Sequence, residues 1–287
     1  MHGTSRRIDC PGNTFALTAM AARWFDGLSK EKTDMNNTLI KGMHLLEYLA
    51  RSDHPVGVTE LARAVGLGKS GVHRLLQALV ELGFARKDDD KGVYWVTLKL
   101  WELGQLVLSR LDLRRAAEAP LHALREATRE TVHLSVMEGG QVVYVIRLDS
   151  PQPVRLSSEV GRRAPAYCVS TGKAILAFLP PAQQEEVARN LVAQTEHTIV
   201  DPQEFMREMA RIRAQGYSVS RGEWTVGVWG IGAPILASNG HVLGAISATA
   251  PMERFQGKAL KKTAELVVAT AAAIAKDIDS RSNPASI

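Results

Sequence analysis

Gly68, Lys69 and Ser70 form a Gly-Lys-Ser triplet, the sequence that ends the phosphate-binding loop of many nucleotide-binding proteins. That loop needs another glycine five positions before Gly68, because its backbone amides must turn around the phosphates. Arg63 occupies that position, and the residues before the triplet have the periodicity of a helix instead of the strand that the loop requires. The triplet therefore does not predict a nucleotide site.

A second motif with chemical potential is Ser-x-x-Lys, from Ser170 to Lys173, in which a lysine can activate a serine nucleophile. Enzymes that use it also carry Ser-Asp-Asn and Lys-Thr-Gly, and neither tripeptide occurs in this chain. A helix N-terminus whose free amides bind an anion is the favoured interpretation. A structural helix cap and a catalytic Ser170 are the alternatives.

Composition and charge narrow the class of protein. The chain has 287 residues, 45% hydrophobic and 23% charged, as expected for a globular protein with two domains. Its formal net charge of +5 is compatible with a polyanionic partner. It has no run of about eighteen apolar residues, so no membrane span is expected.

Cysteine and histidine suggest no metal or redox chemistry. Cys10 and Cys168 are far apart and belong to no Cys/His cluster, so we expect no disulfide framework, no metal site, no cofactor and a reducing cytoplasmic location. His133 and His197 lack partners at metal-ligand or triad spacing. We expect His133 to be a half-buried strand residue.

The pattern of residues 38–96 predicts a winged helix-turn-helix: three amphipathic helices, then a β-hairpin. Thr59 is the predicted N-cap of the second helix, which ends at Gly66. The third helix begins at Lys69 or Ser70, ends at Gly83 and has an apolar stripe formed by Val72, Leu75, Leu76, Leu79 and Val80.

The remaining domain boundaries are predicted where the pattern of apolar and polar residues changes. Residues 1–35 are an extension, expected to be disordered or a frayed amphipathic helix, with Met35 as an alternative start. Residues 36–97 form the winged helix-turn-helix, 98–114 a linker helix, 115–281 a second domain and 282–287 a tail. Gly104 and Pro120 are expected to interrupt the helical segment between the domains. The second domain alternates strand-like and helical segments, which predicts an α+β fold with an antiparallel sheet.

Turning the apolar stripe of the third helix inward leaves an opposite face rich in hydrogen-bond donors. Such donors suit phosphates and the edges of bases, and a glycine there allows close approach to a DNA groove. A solvated polar face is the ordinary alternative, but the complete order of helices and hairpin favours DNA. The predicted DNA-binding residues are Thr59, Lys69, Ser70, Gly71, His73, Arg74, Gln77, Arg86 and Lys91.

The segment VTELARAVGLGKSGVHRLLQALVELGFARKDDDKGVYWV resembles the DNA-binding half of IclR-family transcriptional regulators. ETVHLSVMEGG, STGKAILAFLP and RGEWTVGVWGIGAPIL resemble the family's second half, so the resemblance covers about residues 36–280. It implies a winged helix-turn-helix, a linker helix and a GAF-like ligand-sensing domain without enzymatic activity. It also implies homodimers, or tetramers that are dimers of dimers, on double-stranded DNA at pseudo-palindromic operators.

The resemblance further implies an effector site in the second domain. Family pockets often have an acidic residue at the position of Ser220 and a thiol or small polar group at that of Gly230. Both departures suggest a roomier, less charged pocket for an aromatic or hydroxylated organic acid. The implied effector-binding residues are Ser170, Thr171, Gly172, Ser220, Trp224, Gly230, Ser247 and Thr249.

The leading hypothesis is a ligand-responsive transcription factor, with repression of a catabolic operon favoured over activation. Two other classes stay open. One is a hydrolase that uses Ser170 and Lys173, and the other is a non-specific nucleoid-binding module.

Overall fold

The computed structural model describes residues 7–8, 37–109, 112–153, 155–156 and 159–282. The chain forms two compact units: the first is Asn13–Arg110, and the second is Leu111–Ile287 together with Met1–Gly12. The predicted extension and tail lie almost entirely outside the described residues. Within the extension, strand β1 (Arg7–Ile8) is described, and it pairs in parallel with β7 (Arg155–Leu156).

The first unit has the predicted order of three helices and a hairpin. Its hydrophobic core joins side chains from all three helices, among them Leu45, Leu61 and Leu76, which are completely buried. A short strand that sequence reasoning missed precedes the second helix and pairs with the hairpin, giving the sheet order β2-β4-β3. The elements are α1 (Asn37–Arg51), β2 (Val56–Gly57), α2 (Val58–Ala64), α3 (Lys69–Glu81), β3 (Ala85–Asp88), β4 (Val93–Val96) and α4 (Lys99–Ser109).

The second unit is built on a six-stranded antiparallel sheet of order β8-β6-β5-β11-β10-β9, so the expected α+β class with an antiparallel sheet is confirmed. The strands are β5 (Thr131–Glu138), β6 (Gln141–Leu148), β8 (Arg163–Pro165), β9 (Ser218–Arg221), β10 (Val228–Leu236) and β11 (Val242–Pro251). The helices are α5 (Asp112–Thr128), α6 (Ser170–Leu176), α7 (Pro181–Ala188), α8 (Pro202–Gln215) and α9 (Lys258–Ser282).

The two faces of this sheet carry different helices. Helices α5 and α9 cover one face, where a side chain at Gly244 would meet Leu113 of α5. The short helix α6 lies across the other face, and its Ala174 and Ile175 share a buried core with Ala245 of β11 and Phe205 of α8. Because side chains alternate along a strand, Ala245, Ser247 and Thr249 all face α6.

Several local predictions are wrong. Pro120 lies inside α5, and Gly104 lies inside α4, instead of interrupting a helix. Burial of the apolar side of α5 against the sheet outweighs the hydrogen bond that Pro120 removes. Thr59 is not an N-cap, because α2 begins one residue earlier with Gly57 in the capping position.

Helix α8 begins and ends at residue types that are typical of helix ends. The side chain of Asp201 accepts a hydrogen bond of 2.7 Å from the Glu204 amide at the start of α8, and Gly216 ends that helix in the left-handed conformation. Among the described helices, none is both long and apolar enough to cross a membrane.

Candidate functional site

The buried and the exposed residues of helix α3 lie on opposite sides of the helix. Val72 and Leu76 are completely buried, whereas a row of polar side chains lies exposed on the opposite side. Gly71 lies between them, and a side-chain carbon built on it would meet nothing within 4 Å. The prediction that Val80 points inward is wrong, because it is 38% exposed. The exposed residues are Lys69, Ser70, His73, Arg74 and Gln77.

The hairpin after α3 carries exposed cations with their own intramolecular contacts. The Arg86 guanidinium lies 4.4 Å from the centre of the Trp95 ring, and Lys87 Nζ is 2.9 Å from Asp89 Oδ1. The Lys91 backbone amide donates to Asp88 Oδ1, which closes the turn and leaves the Lys91 side chain exposed. Stacking on Trp95 limits the directions that Arg86 can take.

In the second unit, the strand register places small and hydroxyl-bearing residues in two rows across the α6 face of the sheet. Each row crosses four neighbouring strands, β9, β10, β11 and β5, with one residue from each. The first row is Ser220, Gly230, Thr249 and Thr131; the second is Ser218, Gly232, Ser247 and His133.

The glycines of these rows allow α6 to rest directly on β10. A side-chain carbon at Gly230 would lie 2.5 Å from Ser170 Oγ, and one at Gly232 would lie 2.7 Å from the Ser170 carbonyl oxygen. The expected enlargement of the pocket at Gly230 is therefore wrong, since the Ser170 side chain occupies that space. Gly172 is equally constrained, because a side chain there would lie 2.2 Å from the carbonyl oxygen of Ala166.

Two hydroxyls of β9 fasten the start of α6 to the sheet. Ser218 Oγ donates to the Ser170 carbonyl at 2.6 Å, and Ser220 Oγ donates to the Cys168 carbonyl at 2.9 Å. The Ser220 proton is thus committed within the protein, so this residue can offer an effector only its acceptor lone pairs. Trp224 is half-buried and packs against the core that includes α6 and α8.

Beneath α6, Lys173 forms a buried cluster of charges. Its Nζ lies 2.8 Å from Glu223 Oε1 and 3.0 Å from Glu208 Oε1, and it donates to the Val219 carbonyl at 3.1 Å. All three charged side chains are buried. Burial raises the pKa of Glu223, while Lys173 acts in the opposite direction. Lys173 is thus engaged by two carboxylates and a backbone carbonyl, whereas a serine–lysine hydrolase needs its lysine to accept the serine proton, so these contacts argue against that class.

His133 lies next to Thr249, at 3.4 Å between Nδ1 and Oγ1, and its ring centre is 5.0 Å from that of Tyr144. It is buried, not half-buried as expected. Burial, reinforced by nearby Arg147, lowers the pKa of His133 to about 3, so the imidazole is neutral at physiological pH.

Comparison with known proteins agrees with both units. Residues 38–89 match the family model for the IclR helix-turn-helix domain, and residues 105–276, more than half of the chain, match the model for the bacterial transcriptional regulator IclR C-terminal domain. The chain belongs to the IclR family.

Curated and solved IclR-family proteins resemble this chain along most of its length. The HTH-type transcriptional regulator KipR of Bacillus subtilis is 33% identical over 245 residues, which cover 85% of this chain and 97% of KipR. KdgR of Escherichia coli is 30% identical, covering 81% of this chain and 89% of KdgR. An IclR homolog from Microbacterium hydrocarbonoxydans, complexed with 4-hydroxybenzoate, superposes with a TM-score of 0.74 at 26% identity, covering 85% of this chain and all of that one.

IclR-family proteins are transcriptional regulators, and this chain has the family's DNA-binding and effector domains. The sequence indicated the exposed face of α3 and four of the eight residues in the two rows, but it gave no indication of Glu208 and Glu223. The only sequence signal for these two residues was Lys173, the one charged residue of α6, which must find a distant partner if it is buried.

Glu130, which immediately precedes β5, makes the stability of the IclR C-terminal domain depend on pH. Burial raises its pKa to about 7, although Arg254 Nε, 3.1 Å from Oε1, opposes the shift. The folded state therefore holds a proton between pH 4.5 and 7 that the unfolded state has lost, so stability falls as pH rises through that window.

The neutral variant Glu130→Gln should be free of this contribution. We expect the free energy of unfolding of the wild type, relative to the variant, to decrease by about 2–3 kcal/mol from pH 5 to pH 8. Urea denaturation of both proteins at several pH values measures this difference, and the contribution of His133 cancels because both proteins contain it. A difference that does not change with pH would contradict the assignment.

Proposed function

We propose that this IclR-family regulator represses a catabolic operon. In this proposal, α3 binds a pseudo-palindromic operator in the cytoplasm, and a small organic or aromatic acid bound in the second unit releases it. The observation that carries the DNA half is the exposed row on α3, where Lys69 and Ser70 suit phosphates and His73, Arg74 and Gln77 suit base edges. Thr59, Gly71, Arg86 and Lys91 complete the proposed DNA surface.

The effector half of the proposal rests on the two rows of small and hydroxyl-bearing residues beneath α6. The solved homolog with 4-hydroxybenzoate supports a carboxylic acid as the kind of effector. Hydroxyls at known positions on a rigid sheet can orient such a molecule by hydrogen bonds. The proposed effector-binding residues are Ser170, Thr171, Gly172, Ser220, Trp224, Gly230, Ser247 and Thr249.

Within the first unit, hydrogen bonds connect the start of the linker helix α4 to the end of the DNA-binding helix α3. Lys99 Nζ donates to the Leu82 carbonyl at 2.6 Å, immediately after the end of α3, and Thr97 Oγ1 donates to the Gly83 carbonyl. A change in the orientation of α4 would therefore move α3 with it. Effector binding would alter the spacing of the two α3 helices of a dimer and hence the fit to paired half-sites.

The exposed apolar side chains of the first unit support a homodimer, or a dimer of dimers, as part of this proposal. Leu98, immediately before α4, and Trp101 in its first turn are 73% and 62% exposed, and Met43 of α1 is 50% exposed. Large apolar side chains clustered on a surface are typical of association sites. The paired half-sites of a pseudo-palindromic operator require the same two-fold symmetry.

Trp101→Ala is expected to raise the dimer dissociation constant at least tenfold, because buried tryptophans often dominate interface energies. Sedimentation equilibrium measures this constant. Val200→Ala removes a similarly exposed apolar residue from the loop before α8 and should leave dimerisation unchanged. Equal constants for the wild type and the Trp101 variant would exclude α4 from the interface.

Footprinting on the DNA that flanks the gene tests the proposed function. A regulator should protect a bounded, two-fold symmetric site and release it in the presence of the effector. Continuous protection without a boundary would instead indicate a nucleoid-coating protein. Covalent labelling of Ser170 by a serine-directed reagent would revive the hydrolase hypothesis.

A further inference from the structure

Resting on the proposed function, we infer that Ser135 is an effector contact beyond those already proposed, and that its hydroxyl and the Thr171 hydroxyl both hydrogen-bond to the effector directly. We also infer that the effector is a small, oxygen-rich hydroxy acid in preference to an aromatic one. Neither residue type nor spacing singled out Ser135 in the sequence. The inference rests on the positions of the two hydroxyls and on the fact that neither has a hydrogen-bond partner among the described residues.

Ser135 lies on the same face of the sheet as the two hydroxyl rows. It is two residues beyond His133 on β5, and it pairs with Ala245 of β11, which shares a buried core with Ala174 of α6. Its side chain is completely buried, and among the described residues its Oγ has no hydrogen-bond partner.

Thr171 presents the same situation from the opposite side of the site. It is the second residue of α6, the helix that covers this face of the sheet, and it is 1% exposed. Its Oγ1 also has no hydrogen-bond partner in the part of the chain that the structure describes. Two buried hydroxyls without partners therefore occur on two elements that pack face to face.

Buried hydroxyls are nearly always hydrogen-bonded, because leaving one without a partner is unfavourable. The neighbouring hydroxyls of Ser218 and Ser220 follow that rule by donating to backbone carbonyls of the segment that leads into α6. The two exceptions thus mark positions where an oxygen or nitrogen from outside the protein would restore the missing hydrogen bonds.

The charges around the site favour hydroxyl and carbonyl groups over an aromatic face. Lys173, the cation beneath α6, is already paired with Glu208 and Glu223 and is not available as a partner for an aromatic carboxylate. His133 contributes a neutral imidazole beside the Thr249 hydroxyl. The His133 imidazole and the hydroxyls of Thr249, Ser135, Thr171 and Ser247 form an uncharged wall of hydrogen-bonding groups. Such a wall complements a ligand that has several polar oxygens, whereas an aromatic ring would leave most of these groups unpaired.

The test combines ligand binding with the stability of the ligand-free protein. Ser135→Ala and Thr171→Val remove one hydroxyl each, and Ser218→Ala is the matched control because its hydroxyl already has partners. The probes are glycerate, threonate and gluconate, compared with benzoate and 4-hydroxybenzoate. Isothermal titration measures binding, and thermal melting measures stability.

We expect at least one of the three hydroxy acids to bind the wild type more tightly than either aromatic acid, and each of the first two variants to bind it about tenfold more weakly. Without ligand, Ser135→Ala and Thr171→Val should melt at or above the wild-type temperature, since no hydrogen bond is lost. Ser218→Ala should melt lower.

Several outcomes would overturn the inference. These are binding of the aromatic acids alone, no binding of any probe, hydroxy-acid binding that the two variants leave unchanged, or a fall in melting temperature equal to that of Ser218→Ala. Failure of the proposed function is a separate result, because it would appear as the absence of a bounded operator footprint for the wild type.

Discussion

Lys173→Ala is expected to lower the free energy of unfolding of the second unit by about 3–5 kcal/mol, the largest effect that the structure predicts for a single side chain. The substitution removes the cation between Glu208 and Glu223 and leaves two carboxylates buried beneath α6. Both must then be protonated or hydrated at the expense of the fold. The Val219 carbonyl also loses its lysine donor.

Urea denaturation at neutral pH, followed by circular dichroism, measures this loss. Arg211→Ala is the matched control because Arg211 contacts Glu208 from the surface with a side chain that is 56% exposed. Removing the exposed Arg211 leaves Glu208 paired with Lys173, so the control should lose little stability, no more than about 1 kcal/mol. Equal losses for the two variants would show that the Lys173 cluster does not hold α6 in place.

The sequence predicted much of the local structure that one element's own residues decide. The apolar stripe of α3 fixes which side is buried, and the cap at Asp201 and the left-handed Gly216 set the ends of α8. Pro120 shows the limit of such reasoning. Its local preference is to end a helix, but the packing of α5 against the sheet overrides it, and no local pattern contains that information.

The candidate site was likewise predictable where local patterns decide it, and not where contacts between distant segments decide it. The exposed face of α3 follows from helical periodicity, and the resemblance to the family indicated Ser247 and Thr249. What Ser220 and Gly230 do depends on contacts with the segment around Ser170, far away in the sequence. Strand register decides those contacts, and a single sequence does not specify how strands far apart along the chain pair.

Arg74→Ala is expected to weaken operator binding by about 1–3 kcal/mol for each half-site if Arg74 contacts a base, because an arginine can bind a guanine edge through two hydrogen bonds. A homodimer loses two such contacts, so the dissociation constant should rise about thirtyfold or more. Arg74 is exposed on α3, so the variant should fold and melt like the wild type. Fluorescence anisotropy with the footprinted operator measures the change.

Lys69→Ala distinguishes a base contact from a phosphate contact on the same helix. Lys69 lies at the start of α3, where a cation suits the DNA backbone. Its loss should weaken binding to all sequences alike and make binding less sensitive to salt. Arg74→Ala should instead relax specificity at one base pair of each half-site. Arg115→Ala, on the exposed side of α5, removes the same net charge and should leave affinity unchanged. An Arg74 variant that binds the operator like the Arg115 variant would exclude Arg74 from the DNA surface.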